Sequence, residues 1–176
     1  MTICPCCDTA NIDGVDTCER CGQPLSDLYL SDPRTGVERS LLSDRVTVLQ
    51  PKPPIVVAAN TTVGEVLRKL FKASIGCVLV VDDENNIVGI FSERDAVRRL
   101  GTQAQQVLER PISEFMTSDP ECLVSDSKIA FAVHRMDLGG FRHVPIVDQE
   151  GKPTGVISVR DILRYLTEKI SATAAS

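Results

Sequence analysis

Apolar positions along the chain alternate between two patterns. Ile55-Val56-Val57 is a short apolar run, and Val63, Val66, Leu67 and Leu70 then recur at i, i+3, i+4 and i+7. The first predicts a buried strand, the second one face of an amphipathic helix. Thr61 or Thr62 stands where that helix would be capped. Cys77–Val81 is wholly apolar, Asp82–Asn86 is polar and turn-forming, and Ile87–Phe91 is apolar again, which predicts a hairpin. A further helix is expected from Ser92 to about Leu100. The same order then returns. A strand is expected at Glu121–Val124, followed by a helix with Ile129, Ala132, Val133 and Met136 on one face and Gly139-Gly140 at its end. Strands at His143–Val147 and Thr154–Ile157 flank an Asp148–Pro153 turn. The last helix spans Val159–Ile170, with Ile162, Leu163, Leu166 and Ile170 inward. The small, polar tail Ser171–Ser176 is expected to be flexible and frayed.

The return is a repeat. Gly89-Ile-Phe-Ser-Glu-Arg-Asp95 comes back as Gly155-Val-Ile-Ser-Val-Arg-Asp161, 66 residues later. The same shift pairs Pro54 with Pro120, Asp82 with Asp148, Glu84 with Glu150 and Leu100 with Leu166, with no gap. A fixed period means one supersecondary unit used twice. Each unit is strand, helix, strand, strand, helix, an α+β arrangement. Neither can cover its own apolar sheet face, so the two are expected to pack sheet to sheet about a pseudo-twofold axis. The first repeat is placed at 45–110 and the second at 111–170, behind a cysteine-rich segment at 1–25 and a linker at 26–44. In the connector, Asp32-Pro33 and Thr35-Gly36 signal turns, and Arg39–Leu49 is a candidate short helix stopped by Pro51, Pro53 and Pro54. Between the repeats, Gln103–Leu108 is expected to be helical. Pro111–Met116 matches the connector ahead of the first repeat.

Composition narrows the functional classes. The chain has 176 residues, 43% hydrophobic and 24% charged, with a net charge of −5. That is ordinary for a soluble globular protein. An acidic surface repels phosphate backbones, which argues against nucleic acid as the main partner. No apolar run is long enough to span a membrane. Met-Thr-Ile-Cys-Pro-Cys-Cys has neither the basic nor the apolar region of a signal peptide, so a cytoplasmic location is expected.

In that compartment clustered cysteines point to metal. Cys4, Cys7, Cys18 and Cys21 form C-x2-C-x10-C-x2-C, two tight turns that can aim four thiolates at one Zn²⁺. The alternative is a disulfide pair in a secreted domain. Gly22 supplies a positive φ after the second pair, and Asn11, Asp13 and Gly14 mark a turn between the halves. The segment resembles a zinc ribbon, with Cys6 in place of the usual filler between the first two ligands. Asp8, Asp13, Asp16 and Glu19 outnumber Arg20, which favours a structural or protein-contacting ribbon over a nucleic-acid grip. Cys77, outside the pattern, reads as a buried core thiol.

The repeated turns carry the other candidate chemistry. Ser92-Glu-Arg-Asp95 and Ser158-Val-Arg-Asp161 are S-x-x-D capping boxes at helix starts. A helix N-terminus is also an anion site, and Arg94 and Arg160 add positive charge to it. Gly89 and Gly155 leave room for close approach to the strand. G-h-h-S-x-R-D after a hairpin, present twice, resembles the CBS domain over about Arg45 to Ile170. The resemblance implies a CBS pair, or Bateman module: a non-catalytic regulatory unit that commonly binds adenosine nucleotides such as AMP, ADP or ATP between the repeats and commonly forms homodimers. It implies ligand roles for Ser92, Arg94, Asp95, Ser158, Arg160 and Asp161, with Asp bonding ribose. It also implies a phosphate role for Arg142-His143, which lead into Val144-Pro145, whereas the first repeat has Gly76-Cys77 there. The rivals are an assembly scaffold with empty clefts and a nucleic-acid-associated zinc-ribbon regulator. No catalytic constellation is present in the sequence.

Overall fold

The computed structural model describes residues 1–25 and 35–174; the Asp32-Pro33 turn and the last two residues of the tail lie outside them. The N-terminal cysteine lobe holds a short antiparallel pair, β1 (Thr2–Ile3) and β2 (Ala10–Asn11). Instead of one helix over Arg39–Leu49, α1 (Gly36–Ser43) is followed by a separate 3₁₀ turn, Val46–Leu49. Asp44 and Arg45 break the run because both take extended backbone.

The first repeat comprises β3 (Val56–Ala58), α2 (Val63–Ala73), β4 (Cys77–Val81), β5 (Ile87–Ser92) and α3 (Glu93–Asp95), which continues as a π-helical turn at Ala96–Leu100. A 3₁₀ stretch at Gly101–Gln106 follows, and then another at Ile112–Glu114. β6 (Thr117–Ser118) closes the first sheet, ordered β3-β4-β5-β6. The second repeat comprises β7 (Leu123–Val124), α4 (Ile129–Gly139), β8 (His143–Val147), β9 (Pro153–Ser158) and α5 (Val159–Ala174), with sheet order β7-β8-β9. In both sheets the first pair is parallel and the hairpin antiparallel, and the register slips at matching places, Val80/Val81 and Ile146/Val147. The hairpin turns explain the matched aspartates. Asp82 Oδ1 accepts the N–H groups of Glu84 and Asn86, and Asp148 Oδ1 those of Glu150 and Lys152. Such a side chain closes the turn on its own backbone.

The two repeats exchange their lead-in segments. Val46 and Leu49, ahead of β3, are buried in the core of the second repeat, among Ile129, Val144, Ile146, Ile157 and Tyr165. Val107 and Ile112, ahead of β7, are buried in the core of the first repeat, among Val63, Val66, Val78, Val80 and Phe91. The backbone crosses with them. Val46 N–H donates to Ser127 O at 2.8 Å, and Ile112 N–H to Thr61 O at 2.8 Å. Each helix-side core is therefore separate, but each is completed by chain from the far side. Cys77 and Leu79 are buried on the other face of β4 from Val78 and Val80, as strand alternation requires. That face meets the second repeat: a Cβ on Gly76 would stand 2.3 Å from His143 Nε2. Lys152 Nζ bonds Asn86 Oδ1 at 2.7 Å, tying the two hairpin turns together.

α5 departs from its expected face. Ile162 and Tyr165 are buried, whereas Leu163 and Ile170 are more than half exposed. Tyr165 can turn inward because its hydroxyl donates to Asp44 Oδ2 at 2.8 Å. The helix also runs through Ser171 to Ala174, where the composition predicts fraying.

Candidate functional site

The turn at Ser92 closes both halves of its capping box, Asp95 N–H donating to Ser92 Oγ at 3.3 Å, and the turn at Ser158 makes the return half, through the Asp161 carboxylate. Ser92 N–H and Oγ donate to Asp95 Oδ2 at 2.9 and 2.6 Å, and Ser158 N–H and Oγ donate to Asp161 Oδ2 at 2.8 and 2.7 Å. Each aspartate is thereby held with Oδ1 turned elsewhere, and in both repeats Oδ1 faces an arginine absent from the sequence reading. Arg99 Nε lies 3.6 Å from Asp95 Oδ1, and Arg164 Nη2 lies 3.4 Å from Asp161 Oδ1. The same arginines grip the exchanged connectors. Arg99 donates to Phe115 O at 2.7 Å, to Met116 O and to Thr117 Oγ1; Arg164 donates to Leu49 O at 2.9 Å.

Phe115 and Leu49 are related by the repeat shift, but Arg99 and Arg164 are not: the shift pairs Arg164 with Arg98. The π turn at Ala96–Leu100 accounts for the slip. It adds one residue to the turn of helix, so the arginine stands four residues after Asp95 but three after Asp161. Buried Leu100 likewise takes the place of buried Tyr165, not of Leu166. The ungapped match therefore fails after the motif.

Gly89 and Gly155 are glycine for the connectors' sake. A Cβ on Gly89 would meet Met116 Sδ at 2.3 Å, and one on Gly155 would meet Pro51 Cβ at 2.7 Å.

Two clefts open beside these turns. One, of about 330 Å³, is lined by Ser92–Asp95 and Arg98-Arg99 of the first repeat, Thr117 and Asp119–Glu121 of the connector, and Gly139–His143 of the second repeat. The other, of about 520 Å³, is lined by Lys52–Ile55, Ser74–Cys77, Glu93, Arg142-His143 and Val156 with Ser158–Asp161. Arg142 and His143 stand in the wall between the clefts and line both, so they do not mark one cleft alone. Burial pushes the His143 imidazole below its ordinary pKa, with Arg142 and Arg160 adding to the shift and Glu93 and Asp161 opposing it. Arg94 bonds Gly140 O across the first cleft. Pro145 lines neither cleft; it is buried in β8, paired with Val156. Burial, with the charges of Asp95 and Glu93, pushes the Cys77 thiol up to about 12.

In the cysteine lobe, the sulfurs of Cys4, Cys7, Cys18 and Cys21 all lie within 4.8 Å of one another, and the pairs Cys4–Cys21 and Cys7–Cys18 are 3.7 Å apart. A tetrahedron with Zn–S bonds of about 2.3 Å has edges of about 3.8 Å, so the four thiols can hold such an ion. Both turns are built alike. Asp8 N–H donates to Cys4 O, and Gly22 N–H to Cys18 O, each at 2.9 Å. Asp8 and Gly22 both take positive φ. Asn11 joins the turns, donating to Thr9 O at 2.9 Å and accepting from Glu19 N–H at 3.0 Å.

Cys6 lies outside the group of four sulfurs, with its thiol against that of Cys21. It is fully buried where the lobe docks on the second repeat, with Val124 and Phe131. Its carbonyl accepts Lys128 N–H at 2.9 Å at the start of α4. In α2 the corresponding N–H bonds the Glu65 carboxylate of a capping box. Phe131 replaces that glutamate and Val124 replaces Ala58, which makes this face of the second repeat apolar. Asp8 fixes the seat, accepting from Lys128 at 2.7 Å and Arg45 at 3.0 Å, and Arg20 pairs with Asp126. No helix among the described residues is long and apolar enough to cross a membrane.

Comparison with known proteins bears on the repeats. The family described as CBS domain matches residues 48–102 and 112–168. An uncharacterized 17.7 kDa protein of Acidianus ambivalens is 30% identical over 127 residues, 72% of this chain and 76% of that one. A CBS domain protein from Pyrobaculum aerophilum complexed with AMP superposes with a TM-score of 0.62 at 28% identity, covering 71% of this chain and 99% of that one. The CBS domain pair of protein MJ0100, in complex with 5-methylthioadenosine and S-adenosyl-L-methionine, gives 0.65 at 25% identity, covering 72% and 98%. With the family matched twice, over more than half its length and in register with the two folded repeats, the chain belongs to the CBS domain family.

Proposed function

We propose that this protein is a non-catalytic sensor that binds an adenosine nucleotide, AMP, ADP or ATP, between its repeats and passes the bound state to a zinc ribbon seated on the second repeat. The observation that carries the reading is the pair of clefts. Each is lined by a pinned aspartate, suited to ribose hydroxyls, and by Arg142 and His143, suited to phosphate. The binding of AMP by the Pyrobaculum relative supports the ligand class. Ser92, Arg94 and Asp95 serve one cleft and Ser158, Arg160 and Asp161 the other.

The relay runs through α4. Its N-terminus is held by the ribbon through Cys6, Asp8 and Phe131, and its C-terminal end, Gly139-Gly140, lines a cleft and is held by Arg94. A ligand that moves Arg94 or Arg142 would shift a rod whose other end carries the ribbon. Cys4, Cys7, Cys18 and Cys21 hold zinc as a structural ion, and the exposed ribbon contacts a protein partner. The protein associates as a homodimer, with the exposed apolar side chains Val97 and Leu163 available to its interface. The free thiols suit a reducing, cytoplasmic setting.

Calorimetry with AMP, ADP and ATP tests the reading. A charge-assisted contact to phosphate contributes about 1.5–3 kcal/mol. Arg142→Ala should therefore weaken the preferred nucleotide by roughly 10- to 150-fold while the melting temperature stays unchanged. Absence of binding by all three to the wild type would leave the assembly-scaffold reading in its place.

A further inference from the structure

The two clefts differ in charge while sharing one pair of cations. Arg142 and His143 line both, and the matching positions of the first repeat, Gly76 and Cys77, hold no cation. The first repeat cannot supply one at Gly76, where even a Cβ would stand 2.3 Å from His143 Nε2. The remaining cations divide unequally. In the smaller cleft Arg94 is bonded to Gly140 O and Arg99 to Asp95 and the connector, which leaves Arg98 as its one unshared cation with no side-chain hydrogen bond or ion pair among the described residues, while Asp119, Glu121 and the shared Glu93 add negative charge beside Asp95. In the larger cleft Lys52 and Arg160 make no side-chain hydrogen bond or ion pair among the described residues, and Asp161 and Glu93 are the only carboxylates in its lining.

From this we infer that the chain binds one phosphate-bearing nucleotide, in the larger cleft beside Asp161, and that the smaller cleft beside Asp95 accepts an adenosine compound without phosphate. The inference rests on the nucleotide reading above and sharpens it. A phosphate in the larger cleft meets Lys52, Arg160, Arg142 and His143. A second phosphate on the other side of the same wall would find those two shared cations already neutralised, with Asp119 and Glu121 opposing it. A nucleoside carries no such charge and needs only the ribose and base contacts.

The test is calorimetry with AMP and adenosine on the full chain. The wild type should bind one equivalent of AMP tightly, with any second at least tenfold weaker, and the AMP-saturated protein should still take up one equivalent of adenosine. Lys52→Ala with Arg160→Ala should weaken AMP at least tenfold and leave that adenosine uptake within twofold. Arg98→Ala, in the smaller cleft, should leave AMP within twofold. Two equivalents of AMP with equal affinity, or an AMP loss from Arg98→Ala in place of the Lys52 and Arg160 pair, would overturn the inference and leave the sensor reading standing. Failure of both AMP and adenosine to bind would remove the sensor reading itself.

Discussion

Leu49 precedes β3, the first strand of the first repeat, yet its side chain belongs to the core of the second, and Leu49→Ala tests that exchange directly. Leu49 is 1% exposed, packed with Val46, Ile129, Val144 and Tyr165. Leucine-to-alanine changes at such sites cost about 2.7–5 kcal/mol, the larger values where the surroundings cannot close on the void. Here the backbone is held: Leu49 O accepts Arg164 at 2.9 Å, and Val46 N–H donates to Ser127 O at 2.8 Å. Collapse is therefore limited, and about 3–4 kcal/mol is expected. For a chain of this size each kcal/mol moves the midpoint by about 2–4 °C, so Tm should fall by roughly 6–16 °C. Neighbouring Val48, 53% exposed, is the control, and Val48→Ala should change stability by no more than about 0.5 kcal/mol. Hydrogen exchange locates the effect. Leu49→Ala should loosen Ile129–Gly139 and Val159–Ala174, and Ile112→Ala should loosen Val63–Ala73 and Ile87–Ser92. If Leu49→Ala instead loosened the first repeat and spared the second, or if residues 101–176 alone folded as a stable monomer, the exchanged cores would be refuted.

Two further outcomes are expected. Metal analysis should give one zinc per chain; Cys18→Ser should abolish it and expose the Val124–Phe131 seat, while Cys6→Ala should keep it, and full zinc in Cys18→Ser would exclude the four-thiol site. The partly buried His143 has a depressed pKa, so the folded state resists its protonation: its contribution to stability is complete above about pH 6.5, the ordinary imidazole value, and is lost as pH falls from there through the lowered folded-state pKa. A phosphate beside it raises the pKa again, so AMP should bind more tightly at pH 6.5 than at 7.5, with proton uptake. Adenosine, and AMP on His143→Gln, should show no such slope; equal slopes for both ligands would remove His143 from the phosphate contact.

The local grammar of this fold was legible in the chain. The 66-residue shift carries over to α2 and α4, β4 and β8, β5 and β9, because period-3.6 and period-2 patterns report which side of an element is dry. The serine–aspartate bonds of the S-x-x-D turns at Ser92 and Ser158 and the aspartate-closed hairpin turns were legible for the same reason: each is decided within a few residues. What covers a dry face is not local. Val46, Leu49, Val107 and Ile112 look like connector residues, and only the folded chain shows each pair filling the other repeat. The π turn that sets Arg99 rather than Arg98 against Asp95 leaves no mark on spacing, since one added helical residue looks the same as none. Leu163 and Ile170 lie outward because α5 packs along Ile162 and Tyr165. Arg142 and His143 could be read as one cleft's clamp, but two sheets meeting at Gly76 place them in the wall of both. Cys6 has the spacing of a rival ligand, and the docking face made by Phe131 and Val124 gives it a different part, because burial against a distant surface is a property of the assembled fold.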